Sequence, residues 1–173
     1  VVDVKLKGKN ELDNKALQIC DPERLCTYIP SHLPFRRWEF MINESDNKND
    51  FLDEKKIQNL IKRWLQPDQY QIVRKSVYQF HSVIAEKLNK GRSFLLGDAA
   101  HQAPPFMGEG MMSGYRDAMN VYWKIALTIQ NNLDHKLLNT YQKERKPHAK
   151  FVVENSAGIG ELMEAYAKTD DPS

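Results

Sequence analysis

The sequence predicts a protein of mixed α and β structure, of the α+β or α/β class, in which an antiparallel sheet precedes long helices. Apolar and polar residues alternate over much of the first 42 positions. An apolar segment then runs into Gly97-Asp98 and a glycine-spaced loop, and apolar residues recur at helical spacing after Gly110. A change from a period of two to a period of 3.6 is typical of strands followed by helices.

The predicted sheet occupies the N-terminal part of the chain. Residues 1–6 alternate and are rich in valine, residues 17–20 and 25–31 form short strand candidates, and residues 36–42 alternate aromatic or apolar with charged residues. Short alternating segments separated by turn residues favour antiparallel pairing, with one face of the sheet open to solvent or to a ligand.

One helix and further strands are predicted next. Apolar residues at helical spacing predict a helix within residues 53–66 that ends before Pro67; these are Ile57, Leu60, Ile61, Trp64 and Leu65. Residues 70–85 are rich in strand-forming side chains, and residues 93–96 predict a buried strand. We therefore place a first region at residues 1–85, a sheet with one helix, and a second at residues 86–173.

The second region is predicted to be largely helical. One helix begins near Gly110, ends before Asn131 and carries apolar residues on one face, namely Ala118, Tyr122, Ile125 and Ile129. A further helical pattern starts at Leu137, and Pro147 within it predicts a kink or a break.

Composition excludes several classes of function. The 25 basic and 23 acidic residues are dispersed, which argues against a nucleic-acid interface. No apolar segment is long enough to span a membrane. Cys20 and Cys26 are too few for a disulfide framework, so we expect a cytoplasmic protein. The five histidines lack the short spacing of a metal site.

The segment from Gly97 to Gly114, GDAAHQAPPFMGEGMMSG, has the composition of a cofactor site. The Asp98 carboxylate can accept hydrogen bonds from a polyol, although an aspartate here can also simply cap a turn. Prolines stiffen the loop, and glycines let backbone N–H groups approach a flat or anionic ligand before the helix begins.

Two other interpretations of this segment are weaker. Gly108, Gly110 and Ser113 approximate a G-x-G-x-x-G dinucleotide fingerprint, but about ten residues separate them from the preceding strand. Asp98, His101 and Ser113 suggest a hydrolase triad, but the serine lies one place late for a G-x-S-x-G elbow. We expect His101 to have a structural role.

Residues 91–126, and GDAAHQAPPFMGEGMMSGYRDAMNVYWKIA in particular, resemble the second flavin-binding motif of FAD-dependent aromatic hydroxylases of the 3-(3-hydroxyphenyl)propionate hydroxylase type. The segments CDP, TYIPS, RRWEF and YQKERKPHA are also similar to that family. The resemblance implies part of a Rossmann-like flavoprotein fold in which residues 1–85 bind substrate. It also implies that the N-terminal G-x-G-x-x-G unit, which holds the ADP half of FAD, is missing from this chain.

The resemblance further implies a cofactor and a reaction. FAD would be reduced by NAD(P)H and would then use O₂ to hydroxylate a small phenolic substrate. FAD would be held by loop and helix residues, namely Gly97, Asp98, Pro105, Gly108, Gly110, Met111 and Met112. Glu109 and Met112 depart from the glutamine and asparagine usual in the family, and a carboxylate at position 109 would oppose negative charge on reduced flavin.

Two expectations remain open from sequence. Arg36, Arg37 and Trp38 on the predicted sheet are candidate substrate residues, since an arginine can pair with a substrate carboxylate. Core packing of the tryptophan and solvation of the arginines explain the same pattern equally well. The alternative to a monooxygenase is a noncatalytic fragment that acts at most as a ligand- or partner-binding module.

Overall fold

A computed structural model describes residues 1–8 and 11–169. The chain divides into two compact units. Residues 1–8, 11–79 and 163–169 form the first, and Phe80–Leu162 form the second. The division after residue 79 differs from the boundary predicted after residue 85, because Val83 and Ile84 pair with Gln102 and His101 of the second unit.

The first unit contains a five-stranded antiparallel sheet, as the alternating sequence predicts. The strand order is β2-β3-β4-β1-β5, and every neighbouring pair is antiparallel. The strands are β1 (Val2–Leu6), β2 (Leu17–Ile19), β3 (Cys26–Ile29), β4 (Phe35–Phe40) and β5 (Tyr70–Lys75). The strand-forming residues that follow β5 do not extend this sheet.

Helix α1 (Glu54–Ile61) covers one face of the sheet. The Asp53 carboxylate caps it by accepting a hydrogen bond from the Lys56 amide at 3.0 Å. The helix is shorter than the predicted 53–66, although Trp64 and Leu65 beyond its end still pack against the core. Two 3₁₀ helices flank α1, at Lys48–Leu52 and Pro67–Gln69.

The core of the first unit is aromatic and aliphatic. Trp38 on β4 is fully buried, and its ring lies 5.2 Å from that of Tyr28 and 5.7 Å from that of Trp64. Val4 from β1 and Ile57 from α1 are also fully buried. Removal of this apolar area from water stabilises the sheet on α1.

The second unit combines two long helices with short hairpin-like pairs. Its helices are α2 (Gly110–Gln130) and α3 (Thr140–Ala167), of which α3 continues beyond Leu162. Its strands are β6 (Val83–Ile84), β7 (Asn89–Lys90), β8 (Ser93–Phe94) and β9 (His101–Gln102). Three 3₁₀ helices, at Gly97–Ala99, Pro105–Met107 and His135–Leu137, connect these elements.

One expectation about the second unit was wrong, and of the two outcomes predicted at Pro147, a kink or a break, the break does not occur. Residues 93–96 do not form a buried strand, because β8 ends at Phe94, pairs only with β7, and leaves Ser93 and Leu95 exposed. Helix α3 is not broken at Pro147. All strand pairs among residues 1–8 and 11–169 are antiparallel, so the described residues contain no parallel sheet.

Helix α2 has an unusual distribution of polar and apolar residues. Its apolar face, as predicted, carries Tyr122 and Ile129, but these are 68% and 75% exposed. The buried face is mostly polar and consists of Ser113, Asp117, Val121, Lys124 and Thr128. Within the described part of the chain, no helix has the length and apolarity needed to cross a membrane.

Lys124 is the most unusual buried side chain of α2. It is fully buried, and its ammonium donates to Glu144 Oε2 of α3 at 2.7 Å and to Asn120 Oδ1 at 2.8 Å. Asn120 also donates to the same carboxylate oxygen at 2.7 Å. These hydrogen bonds from Asn120 and Lys124 lower the pKa of Glu144 to about 2.

We expect Glu144→Gln to lower the free energy of unfolding by about 1–3 kcal/mol, because it leaves a buried ammonium without an anionic partner. Partial exposure of Glu144 favours the lower end of that range. The contribution is fully present above pH 4.5 and is lost as the pH falls towards about 2, since the folded pKa is depressed.

Urea unfolding of both proteins between pH 7 and pH 3 measures this difference. Glu154→Gln is the control, because the Lys150–Glu154 pair of α3 is exposed and 3.5 Å apart. We expect its effect to stay below about 0.5 kcal/mol. A Glu144→Gln protein as stable as the wild type at pH 7 would contradict the assigned role.

Candidate functional site

The Gly97-Asp98 turn lies directly against α2. Gly97 has a left-handed backbone, with φ at 55°, and a Cβ on Gly114 would lie 3.3 Å from the Gly97 Cα. Two glycines are therefore needed at this contact, one for its backbone conformation and one for its size. The contact places the turn beside the first turns of α2.

The Asp117 carboxylate joins three elements of the second unit. It accepts hydrogen bonds from the Gly97 amide at 3.1 Å, from His101 Nε2 at 2.7 Å and from Arg145 Nε of α3 at 2.7 Å. Asp117 is fully buried, as are most of His101 and Arg145. Burial opposes ionisation, but the hydrogen bonds from His101, Arg145 and Gly97 outweigh it and lower the pKa of Asp117.

This network gives His101 the structural role expected for it. Its Nε2 faces Asp117, while Ser113 is fully buried and its Oγ has no hydrogen-bond partner among the described residues. A serine nucleophile needs both exposure and a histidine base. The arrangement therefore does not support the hydrolase interpretation.

The Asp98 carboxylate is available to a ligand. Asp98 lies in the 3₁₀ turn Gly97–Ala99 and is exposed. Its main-chain carbonyl accepts a hydrogen bond from Gln102 Nε2 at 3.3 Å, but its carboxylate has no partner within residues 1–8 and 11–169. It can therefore accept hydrogen bonds from hydroxyl groups of a bound molecule.

The start of α2 offers backbone donors close to this turn. The first hydrogen bond of the helix joins the Ser113 amide to the Glu109 carbonyl at 2.8 Å. The amides of Gly110, Met111 and Met112 have no acceptor among the described residues, and all three residues are exposed. Such a helix end attracts negative charge or a carbonyl oxygen.

The loop before α2 is constrained from both ends. Gly108 ends the 3₁₀ helix Pro105–Met107 with φ at 64°, a left-handed conformation that favours glycine. Phe106 packs against α3, since a Cβ on Gly160 would lie 2.7 Å from its ring. Pro105 is exposed, and its ring restricts the backbone of this segment.

The candidate substrate residues of the first unit do not share one face of the sheet. Arg36 and Trp38 point into the core, and Arg36 donates to the carbonyls of Ser31 and Phe35. Alternation along β4 places Arg37 on the opposite face, where it binds the Asp3 carboxylate at 2.6 and 3.1 Å. Burial leaves neither Arg36 nor Trp38 accessible to a ligand, so only Arg37 remains a candidate.

Comparison with known proteins identifies the family. A model described as an FAD binding domain matches residues 5–156, which is most of the chain. The chain belongs to this FAD binding domain family.

Curated relatives of this FAD binding domain are aromatic hydroxylases. A 3-(3-hydroxy-phenyl)propionate/3-hydroxycinnamic acid hydroxylase of Burkholderia cenocepacia is 35% identical over 94% of this chain and 30% of its own length. A probable NADH-specific resorcinol 4-hydroxylase of Rhodococcus jostii is 34% identical over 84% of this chain and 27% of its own length. The chain therefore spans about 30% of such relatives, and the resemblance noted from sequence is confirmed.

A solved structure confirms the flavoprotein fold. Aklavinone-11 hydroxylase, in a complex with FAD and aklavinone, matches 96% of this chain and 33% of its own with a TM-score of 0.84 and 26% identity. The p-nitrophenol 4-monooxygenase of Pseudomonas putida matches 99% of this chain and 44% of its own with a TM-score of 0.75 and 22% identity. The second match supports the fold alone.

Sequence reasoning missed Asp117 and Arg145, the buried pair that holds the site together. A signal was available, because Ser113, Asp117, Val121, Lys124 and Thr128 recur at helical spacing just as the apolar residues do. Charged residues in such a pattern are ordinarily predicted to lie on the exposed face of a helix, since few charged side chains are buried. Their burial follows from partners that are distant in sequence.

Gly114→Ala should destabilise the protein by about 1 kcal/mol, because the cost of overpacking against Gly97 exceeds the gain in helix propensity. Gly158→Ala in α3 is the matched control, since a Cβ there has nothing within 4 Å. It should stabilise the protein by about 0.5–1 kcal/mol. Urea unfolding measures both, and equal stabilisation by the two substitutions would rule out the close contact.

Proposed function

We propose that this chain supplies the ribityl and isoalloxazine part of the FAD site of an FAD-dependent aromatic monooxygenase. The observation that carries the proposal is the pairing of an open Asp98 carboxylate with the open amides of Gly110–Met112. Asp117 and the Gly97–Gly114 contact hold these two groups in place. Family membership and the hydroxylase relatives support the same conclusion.

The residues present fit FAD. Asp98 would accept hydrogen bonds from hydroxyls of the ribityl chain, while the start of α2 would donate to the carbonyl side of the ring and stabilise negative charge there. Gly108 and Gly110 have open space where a Cβ would lie, so the backbone is accessible. Bound FAD, once reduced by NAD(P)H, supplies the O₂ chemistry that hydroxylates an aromatic ring.

The substrate in this proposal is a small phenolic compound. The relatives named as hydroxyphenylpropionate and resorcinol hydroxylases support that class. Arg37 is the residue of the first unit that we retain as a substrate contact. It would need to exchange Asp3 for a substrate carboxylate, which is feasible because the pair is partly exposed.

The proposal also requires protein outside this chain. The exposed apolar face of α2 supports this, because a stripe of large apolar side chains on a helix is normally covered. Its most exposed members are Met111, Tyr115, Met119, Tyr122 and Ile129. We infer that the part of the relatives' length that this chain lacks, including an ADP-binding unit, completes the enzyme.

Free Cys20 and Cys26 are consistent with a cytoplasmic location.

Asp98→Ala in the full-length polypeptide should weaken FAD binding by about tenfold or more while leaving stability within about 0.5 kcal/mol. The carboxylate is exposed and has no internal partner among the described residues, so folding does not depend on it. Titration of the apoprotein with FAD, followed by flavin fluorescence, measures the affinity.

Asp68→Ala, an exposed aspartate of the first unit, is the control and should leave FAD affinity unchanged. Unchanged affinity in Asp98→Ala would remove the role assigned to this carboxylate. A full-length wild-type protein that bound no FAD would contradict the proposed function itself and favour a noncatalytic module.

A further inference from the structure

Glu109 occupies the N-cap position of α2, next to the open amides, yet its side chain does not cap the helix. Its Oε2 instead accepts a hydrogen bond from Arg116 Nη1 at 2.6 Å, two turns along the same helix. The ion pair is partly exposed, with 41% of the Arg116 side chain and 33% of the Glu109 side chain accessible. The carboxylate is therefore turned away from the first turn.

A carboxylate at this position has an alternative partner. Acidic side chains at the start of a helix are attracted to its free N–H groups and to the positive end of its dipole. If Glu109 were released from Arg116, its carboxylate could accept hydrogen bonds from the amides of Gly110–Met112. It would also place a negative charge where an electron-rich ligand has to bind.

The Glu109–Arg116 pair acts electrostatically on a histidine of α3. Burial lowers the pKa of His148 of α3, and Arg145 and then Arg116 lower it further, while Asp117 and Glu109 act in the opposite direction. His148 Nδ1 lies 3.3 Å from Nη2 of Arg145, a residue of the Asp117 network. Arg145 is already paired with Asp117, so Arg116 is the cation that the Glu109 carboxylate contacts.

We propose that Arg116 is a positioning residue for the flavin site. It holds Glu109 away from the amides of Gly110–Met112 and neutralises its charge, so that the start of α2 stays open to the carbonyl side of FAD. This role rests on the proposed function. It explains how a glutamate is compatible with flavin binding at a position where a neutral side chain would be the simpler choice.

A double-mutant cycle in the full-length polypeptide tests this role. Arg116→Gln should weaken FAD binding about fivefold at low ionic strength and make the reduction potential of the bound flavin more negative, because an unpaired carboxylate then faces the ring. Glu109→Gln should bind FAD at least as well as the wild type. In the Glu109→Gln background, Arg116→Gln should change the affinity by less than about twofold.

The rescue separates positioning from a structural role. A merely structural Arg116 would produce the same loss with Glu109 or with glutamine at that position, and that result would overturn the inference. Lys150→Gln, which removes the exposed Lys150–Glu154 pair of α3, controls for loss of a surface cation and should leave affinity and potential unchanged. If the wild type bound FAD but Arg116→Gln changed neither the FAD affinity nor the reduction potential, the role of Arg116 would be contradicted and the proposed function would stand. A wild type that bound no FAD would contradict the proposed function.

Discussion

The second unit depends on one buried carboxylate. Asp117 is fully buried and receives hydrogen bonds from a backbone amide, a histidine and an arginine that lie on three different segments. A buried carboxylate is costly unless such partners surround it. Because the Gly97 amide is one of these three donors, the interaction that stabilises the ionised Asp117 also holds the turn that carries Asp98.

The polar interior of α2 has a consequence for its outer face. Asp117 and Lys124 face α3 and the motif, where each is matched by an opposite charge. Most of the large apolar side chains of the helix consequently point outward, whereas Val121 and Ile125 pack against the core. This reverses the usual distribution on a helix at a protein surface. A helix of this kind is suited to lie between two layers, with ion pairs fixing it to one side and apolar contact available on the other.

The sequence was informative where a pattern is local. Alternation predicted the antiparallel sheet, and the glycine-spaced motif before an apolar helical pattern predicted α2 within a residue of its observed start at Gly110. The motif likewise indicated the flavoprotein family, because its aspartate, prolines and glycines all lie within one short segment. Conformational requirements of single residues, such as the left-handed Gly97 and Gly108, agree with that motif.

The features that the sequence did not reveal depend on residues that lie far apart along the chain. Residues 93–96 are apolar enough for a buried strand, but the described residues offer them only β7 as a partner. Arg36, Arg37 and Trp38 were considered together as sheet residues that could contact substrate, but alternation along β4 places Arg37 on the face opposite the other two. The pairing of Asp117 with Arg145, 28 positions away, has no local signature. The role of Gly160 also depends on a distant aromatic ring, that of Phe106.

Asp117→Asn in the full-length polypeptide tests the central role of this carboxylate most directly, with stability and FAD affinity measured on the same protein. The substitution preserves size but leaves Arg145 buried beside a neutral amide. We expect a loss of about 3 kcal/mol in the free energy of unfolding, together with weakened FAD binding at a temperature where the protein is still folded. Wild-type FAD affinity in a folded Asp117→Asn protein would contradict the claim that this carboxylate positions the flavin site.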